Sequence, residues 1–200
     1  MNKEKHPSKN ELLKPENMIL MYARGAFPMA DETGNINWYM PETRTIIPLN
    51  NFNLPRSLKK ILENTDFEFR YDTDTLGVIK KCADRESTWI SNELIEAYRG
   101  LQKLGNLHSV EVCQKNVLIG GLYGVTYRSA FFGESMFSKI PQASKCALVK
   151  LLERLREKGF TLLDVQYQTD HLKMFGAKEI SFQEFAELLL KSYQKDISFI

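Results

Sequence analysis

The stretch from Gly133 to Gln166 constrains the fold most. From Ala143 onward, apolar residues recur at Ala147, Leu148, Leu151, Leu152 and Leu155, the spacing of one helical face. Lys150, Glu153, Arg154, Glu157 and Lys158 take the other face, and Gly159 supplies a stop. Thr161 to Val165 then reads as a buried strand, so a helix and a strand follow one another directly. Period-two alternation puts Asp164 and Gln166 on one side of that strand, with Leu163 and Val165 on the other. Such a polar pair is either a turn cap beside a satisfied edge residue or a working site. Glu134 falls in a turn ahead of the helix. There a carboxylate either complements the helix N-terminus or serves the same site.

Around this stretch the chain alternates short helices and strands. Residues 1 to about 14 read as a disordered tail. Pro15 to Arg24 predicts a short helix with Pro near its first turn and Gly25 after its end. Phe27-Pro28 breaks the chain, Asn35 to Tyr39 is a short strand, and Pro41 marks the edge of a small N-terminal unit. Thr43 to Leu49 reads as a strand, with Pro48 suggesting a sheet edge. A basic helix over 55–62, a strand over 67–71 and helices over 75–83 and 92–103 come next. Residues 108–113, 117–125 and 129–132 form strands joined by short turns, an antiparallel meander. Past the strand at 161–165, a helical turn over 170–174 stops at Gly176. Ser181 and Glu184 have capping-box spacing and open a last helix.

Composition narrows the class. Two hundred residues, 43% hydrophobic and 26% charged, describe an ordinary globular chain able to bury a sizeable core. No apolar run approaches a membrane span, and the polar N-terminus lacks the apolar core of a signal peptide, so a cytoplasmic protein is expected. Cys82, Cys113 and Cys146 are scattered, as are His6, His108 and His171; neither set has the spacing of a metal site. A net charge of +2 permits an RNA partner through a local patch without requiring one.

Six words occur in order: GAFPM at 25–29, TWI at 88–90, GGLYGV at 120–125, FFGESMFS at 131–138, ASK at 143–145 and LLDVQ at 162–166. Together they resemble the leucyl/phenylalanyl-tRNA–protein transferases, from about Met18 to Phe185. The resemblance implies an α+β fold: a GNAT-like acyltransferase core, a mixed sheet with flanking helices, over 41–200 behind a small N-terminal domain at 1–40. It implies transfer of Leu or Phe, and of Met in some cases, from aminoacyl-tRNA to the α-amino group of proteins beginning with Arg or Lys. That reaction feeds N-degron protein degradation. No cofactor, no metal and no membrane are implied, and a monomer is expected.

Residue by residue, the resemblance implies a catalytic set of Asp164, Gln166 and Glu134. It lines an aminoacyl pocket with Leu122, Phe131, Met136, Leu151 and Leu163, each of which reads equally well as ordinary core. Tyr22, Trp89 and Tyr98 are implied near the 3′-terminal adenosine, since exposed bases are commonly held by aromatic stacking. Trp89, in a short connection, is either such a platform or a hydrophobic plug, and Met29 covers a base less strongly than an aromatic residue. Arg56, Lys59 and Lys60 lie within about one helical turn and suit phosphates, or are a solvated face.

The chemistry is ester aminolysis, with an activated ester and a protein α-amine of pKa roughly 7.7–8.0. Little proton-abstracting power is needed. Asp164 is assigned to orient the amine and stabilise its developing positive charge, and Gln166 to hydrogen-bond ester or amine; proton withdrawal by Asp164 through Gln166 is the alternative. Glu134 grips the amino group of the aminoacyl ester or of the acceptor. Where acetyltransferases carry a glycine-rich pyrophosphate loop, Ser138 to Lys145 contains no glycine and includes Pro141, which argues against coenzyme A. The competing readings are an acyltransferase with another donor and a non-catalytic module that binds tRNA ends or N-degrons.

Overall fold

The computed structural model describes residues 9–200, with side chains from Glu11 onward. The expected N-terminal tail lies partly outside the described residues. Within them, Lys9–Leu12 forms a helical turn, α1, so order begins earlier than predicted. Helix α2 spans Pro15–Tyr22 with Pro in its first turn. Phe27–Ala30 is a strand, β1, where a chain break was expected; Pro28 is tolerated because a two-stranded ribbon has open edges. It pairs antiparallel with β2, Ile36–Tyr39.

A seven-stranded sheet forms the body, in the order β4-β5-β6-β7-β8-β3-β9. Its members are β3 (Thr43–Ile46), β4 (Glu68–Tyr71), β5 (Leu107–Gln114), β6 (Val117–Tyr127), β7 (Ala130–Ser138), β8 (Leu162–Gln166) and β9 (Lys178–Ser181). Strands β5, β6 and β7 form the predicted meander. Strand β3 is interior, between β8 and β9, and ends before Pro48. The edge expected from Pro48 is thus taken by β9, a short segment without its own periodic signal.

Among the described residues only β7 and β8 pair in parallel, through Ala130–Leu162, Phe131–Leu163 and Phe132–Asp164. Beyond this short ladder the two strands part. Helices cover both faces: α3 (Arg56–Asn64) and α6 (Ala143–Lys158) on one, and α2, α4 (Thr75–Ala83), α5 (Asn92–Lys103) and α8 (Phe182–Ser192) on the other. Leu148, Leu151, Leu152 and Leu155 of α6 pack with Leu122, Phe131 and Leu163, and Gly159 ends the helix in the left-handed conformation, as the stripe and stop predict. The Ser181–Glu184 capping box is formed. Short α7, Asp170–Lys173, follows β8. Among the described residues no helix is long and apolar enough to cross a membrane.

Candidate active site

The parting of β7 from β8 opens a cavity of about 630 Å³, lined by both strands, by α6 and by the segment around Arg85 and Trp89. Its walls differ across the sheet. On the α6 face, Leu122, Met136, Leu148, Leu151 and Leu163 make an aliphatic lobe. On the opposite face lie Met29, Trp89 and Tyr123, with Lys81, Asp84 and Arg85 nearby.

Glu134 sits where the lobes meet. It is not in a turn, as the sequence suggested, because β7 runs on to Ser138. The strand accommodates it as a bulge: Tyr123 pairs with Ser135 and Gly124 with Gly133, leaving Glu134 without a partner in β6. A bulge bends the strand and re-aims one side chain. Gly124 makes room for it, since a Cβ there would come within 2.3 Å of the Phe132 carbonyl oxygen. The Glu134 carboxylate turns into the protein and accepts three hydrogen bonds. Tyr22 Oη (3.0 Å) and Gln166 Nε2 (3.1 Å) donate to Oε1, and Tyr98 Oη (2.7 Å) donates to Oε2.

Burial pushes the Glu134 carboxyl up to about 7, against the opposing pull of the Tyr98 and Tyr22 hydroxyls; the Asp164 charge raises it and Arg44 lowers it. Tyr22 and Tyr98 are held well above their ordinary pKa, first by burial and then by the Glu134 charge, so both remain donors. A carboxyl poised near neutrality in a cavity can exchange a proton at physiological pH.

Along β8, Leu163 and Val165 face α6, and Asp164 points to the opposite side of the sheet. It is fully buried, and Arg44 grips both its oxygens, Nε to Oδ1 at 2.9 Å and Nη2 to Oδ2 at 2.6 Å. Oδ1 also accepts the backbone N–H of Gln166 at 2.9 Å. Asp164 lies outside the cavity wall. Gln166 has φ +64°, a left-handed residue at the strand end, and this turn swings its amide to Glu134 and into the wall. Asp164 and Gln166 thus share one side of the strand, as alternation predicts, but of the two only Gln166 lines the cavity. Arg44, absent from the sequence-derived set, also donates to the Gly25 carbonyl at 2.7 Å and lies between the Phe27 and Phe185 rings. It thereby ties the N-terminal segment and α8 to β8. A charged residue in a Thr-Arg-Thr strand was the available signal.

The other sequence-derived residues divide clearly. Leu122, Met136, Leu151 and Leu163 line the aliphatic lobe, joined by Leu148, which was missed; Phe131 is fully buried behind them. Trp89 is half-buried on the opposite lobe. Tyr22 and Tyr98 are fully buried and do not line the cavity; their rings pack against Trp38, Phe132 and Tyr123, so neither face is open to a base. Their hydroxyls hold Glu134 instead. Arg56, Lys59 and Lys60 are exposed on α3, away from the cavity wall, with Lys59 3.9 Å from Glu63. Among the described residues there is no cluster of His, Cys, Asp and Glu able to hold a metal.

Comparison with known proteins adds the lineage. The chain is 48% identical over 188 residues to a leucyl/phenylalanyl-tRNA–protein transferase of Herpetosiphon aurantiacus, covering 94% of this chain and 98% of the relative. A protein of the same name from Rubrobacter xylanophilus is 46% identical over the same extent. Among solved structures, the C-terminal domain of a protein described as a lysylphosphatidylglycerol synthetase, from Agrobacterium fabrum, has the same fold. It superposes with a TM-score of 0.50 at 11% identity, covering 94% of this chain and 84% of that one. The family model for leucyl/phenylalanyl-tRNA protein transferase matches residues 46–190, and the model for its N-terminal domain matches residues 11–42. The chain belongs to the leucyl/phenylalanyl-tRNA protein transferase family.

Proposed function

We propose that the cavity takes the 3′ end of Leu- or Phe-tRNA and transfers the aminoacyl group to the α-amine of an acceptor protein beginning with Arg or Lys. The observation that carries this reading is Glu134, a carboxylate poised near neutrality between an aliphatic lobe and an aromatic one. The aliphatic lobe, walled by Leu122, Met136, Leu148, Leu151 and Leu163, suits a Leu, Phe or Met side chain. Met136 lends it adaptability. Rejection of Val by lost methylenes amounts to only about 1–3 kcal/mol. The nucleoside belongs on the opposite lobe, against Trp89 and Met29.

In the reaction the neutral acceptor amine attacks the ester carbonyl carbon. A C–N bond forms, the C–O bond to the ribose breaks, and the amine's extra proton leaves through Glu134 to the departing ribose oxygen. Gln166 directs its Nε2 to Glu134, and its Oε1, without a protein partner among the described residues, orients the incoming amine. Asp164 acts through Gln166, as a positioning residue. Holding amine and ester together supplies roughly 7–11 kcal/mol, and general base catalysis about 10²–10⁴-fold more.

The core would be GNAT-like: a meander, helix α6, and a strand splayed from its parallel neighbour. A small N-terminal domain at residues 1–40, before a catalytic domain at 41–200, is supported by the two separate family matches. The α6 N-terminus differs from a coenzyme A cradle. Gln142, not glycine, takes the left-handed turn, and Ser138 Oγ accepts the Ser144 N–H at 3.0 Å. We further propose a monomeric cytoplasmic enzyme without a cofactor, acting in N-degron degradation.

The test offers labelled Leu-tRNA or acetyl coenzyme A, with an acceptor peptide beginning with Arg. A Leu-Arg-peptide product from Leu-tRNA alone is the expected result. Acetylated product indicates another acyl donor, and tRNA binding without product indicates a binding module.

A further inference from the structure

Arg85, Lys139 and Lys145 line the cavity, and among the described residues none of them has a carboxylate within ion-pair distance. Of the carboxylates in the wall, Glu134 is buried and engaged by Tyr22, Tyr98 and Gln166, and Asp84 pairs with Lys81 at 3.2 Å. Lysines on nearby helices are answered within a turn, Lys150 by Glu153 at 2.8 Å and Lys173 by Asp170 at 3.2 Å. A cleft lined by one sign of charge draws in the opposite sign. The three cations follow the course of β7. Arg85 donates to the carbonyl of Met136, two residues on from Glu134. Lys139 follows the last residue of the strand, its backbone N–H held by the Ile119 carbonyl at 2.7 Å. Lys145 stands in the first turn of α6, tied to the strand end by the Ser144 N–H to Ser138 Oγ bond of 3.0 Å. With a strand rise of about 3.3 Å per residue, Met136 lies roughly 7 Å and Ser138 roughly 13 Å beyond Glu134.

We propose that Arg85, Lys139 and Lys145 form a phosphate-binding track for the single-stranded 3′ end of the donor. Arg85 takes the phosphate of the nucleotide that bears the ester, and the two lysines take the phosphate before it. This rests on the transferase reading above and names the path by which the polynucleotide leaves the cavity. With the ester at Glu134 and the base against Trp89 and Met29, the ribose–phosphate chain has to run outward, carrying one negative charge per nucleotide. The cations step away from Glu134 in the same order. Arg85 has N–H groups to spare after the Met136 carbonyl is served, in a fork that fits phosphate oxygens, and a lysine meets phosphate as a point charge. They also close on the chain from two sides: Arg85 belongs to the Trp89 lobe, and Lys145 lies one turn before Leu148 of the aliphatic lobe. The other polymer that enters, an acceptor beginning with Arg or Lys, is repelled by the same charges. The track is separate from Arg56, Lys59 and Lys60 of α3, which lie away from the wall.

The probes are a non-hydrolysable 3′-aminoacyl-adenosine, the same compound with a 5′-phosphate, and an aminoacyl trinucleotide ending in it, with binding read by calorimetry. The wild-type protein should bind more tightly as phosphates are added. The double variant Lys139→Gln, Lys145→Gln should bind the trinucleotide about tenfold more weakly, the scale of hydrogen bonds to charged groups, and the bare nucleoside as before. Its slope of log affinity for the trinucleotide against log salt should shrink by about 0.7, the share of one phosphate in a single strand. Arg85→Gln should erase the gain from the 5′-phosphate, and Arg85→Lys, which keeps the charge, should retain most of it; thermal melting of both variants reads the lost Met136 bond separately. Wild-type indifference to added phosphate would overturn the proposal, as would equal affinity of the wild type and the lysine variant for the trinucleotide. A raised KM for the acceptor peptide with trinucleotide binding intact would also overturn it and assign the cations to the acceptor. Failure of the wild-type protein to transfer Leu from Leu-tRNA would count against the transferase reading alone, since the binding measurements need no turnover.

Discussion

Arg44 and Asp164, 120 positions apart in the chain, form a two-pronged ion pair in which neither side chain reaches solvent. The pair sits directly beneath Gln166, whose backbone N–H is held by the same Asp164 oxygen that takes Arg44 Nε. Its work is to fix a left-handed residue at a strand end, and so to set where the Gln166 amide points.

Asp164→Asn is therefore expected to act on the fold before it acts on the chemistry. It leaves the Arg44 guanidinium buried without its counter-charge, which costs on the order of 3–5 kcal/mol. Urea unfolding should show that loss, and single-turnover transfer should be depressed at every pH. A variant of wild-type stability whose activity recovers at high pH would instead make Asp164 a proton acceptor.

Glu134 sets a pH dependence with opposite signs for activity and stability. As a base it must be ionised, so transfer should rise as pH passes through about 7 and then level off. The folded carboxyl holds its proton up to about 7, whereas an unfolded glutamate releases it near 4.5. The stability it contributes is thus present below pH 4.5 and lost as pH rises through 7, by up to about 3 kcal/mol. Glu134→Gln should slow single-turnover transfer about 10²-fold or more. It should also leave only the titration of the acceptor amine, at roughly 7.7–8.0. A limb near 7 that persists in the variant would assign it to another group.

Trp89 is half-buried on the lobe opposite the aliphatic one. Trp89→Ala should weaken donor use by roughly 1–3 kcal/mol, the cost of one stacked base, while the protein stays folded. Kinetics paired with thermal melting test this. If the activity loss tracks unfolding, Trp89 is a plug and not a platform.

Arg56, Lys59 and Lys60 lie on an exposed helix face, with Glu63 3.9 Å from Lys59. Changing all three to Gln should flatten the slope of log affinity for tRNA against log salt, through fewer released counterions. The same slope in both proteins would return this face to the solvent.

Legibility from the sequence followed range along the chain. Helix α6, its Gly159 stop and the Ser181–Glu184 capping box were readable because helical periodicity and capping act over three or four residues. The family words carried the aliphatic lobe and named Glu134 and Gln166. The bulge that aims Glu134, the left-handed turn at Gln166, the Arg44 clamp and the inward turn of Tyr22 and Tyr98 were decided only in three dimensions. Each rests on partners far apart in the chain, and the bulge interrupts the period-two rule by which a strand is read. A buried charge must find its counter-charge and donors wherever the fold provides them, and no local spacing in the chain encodes that choice.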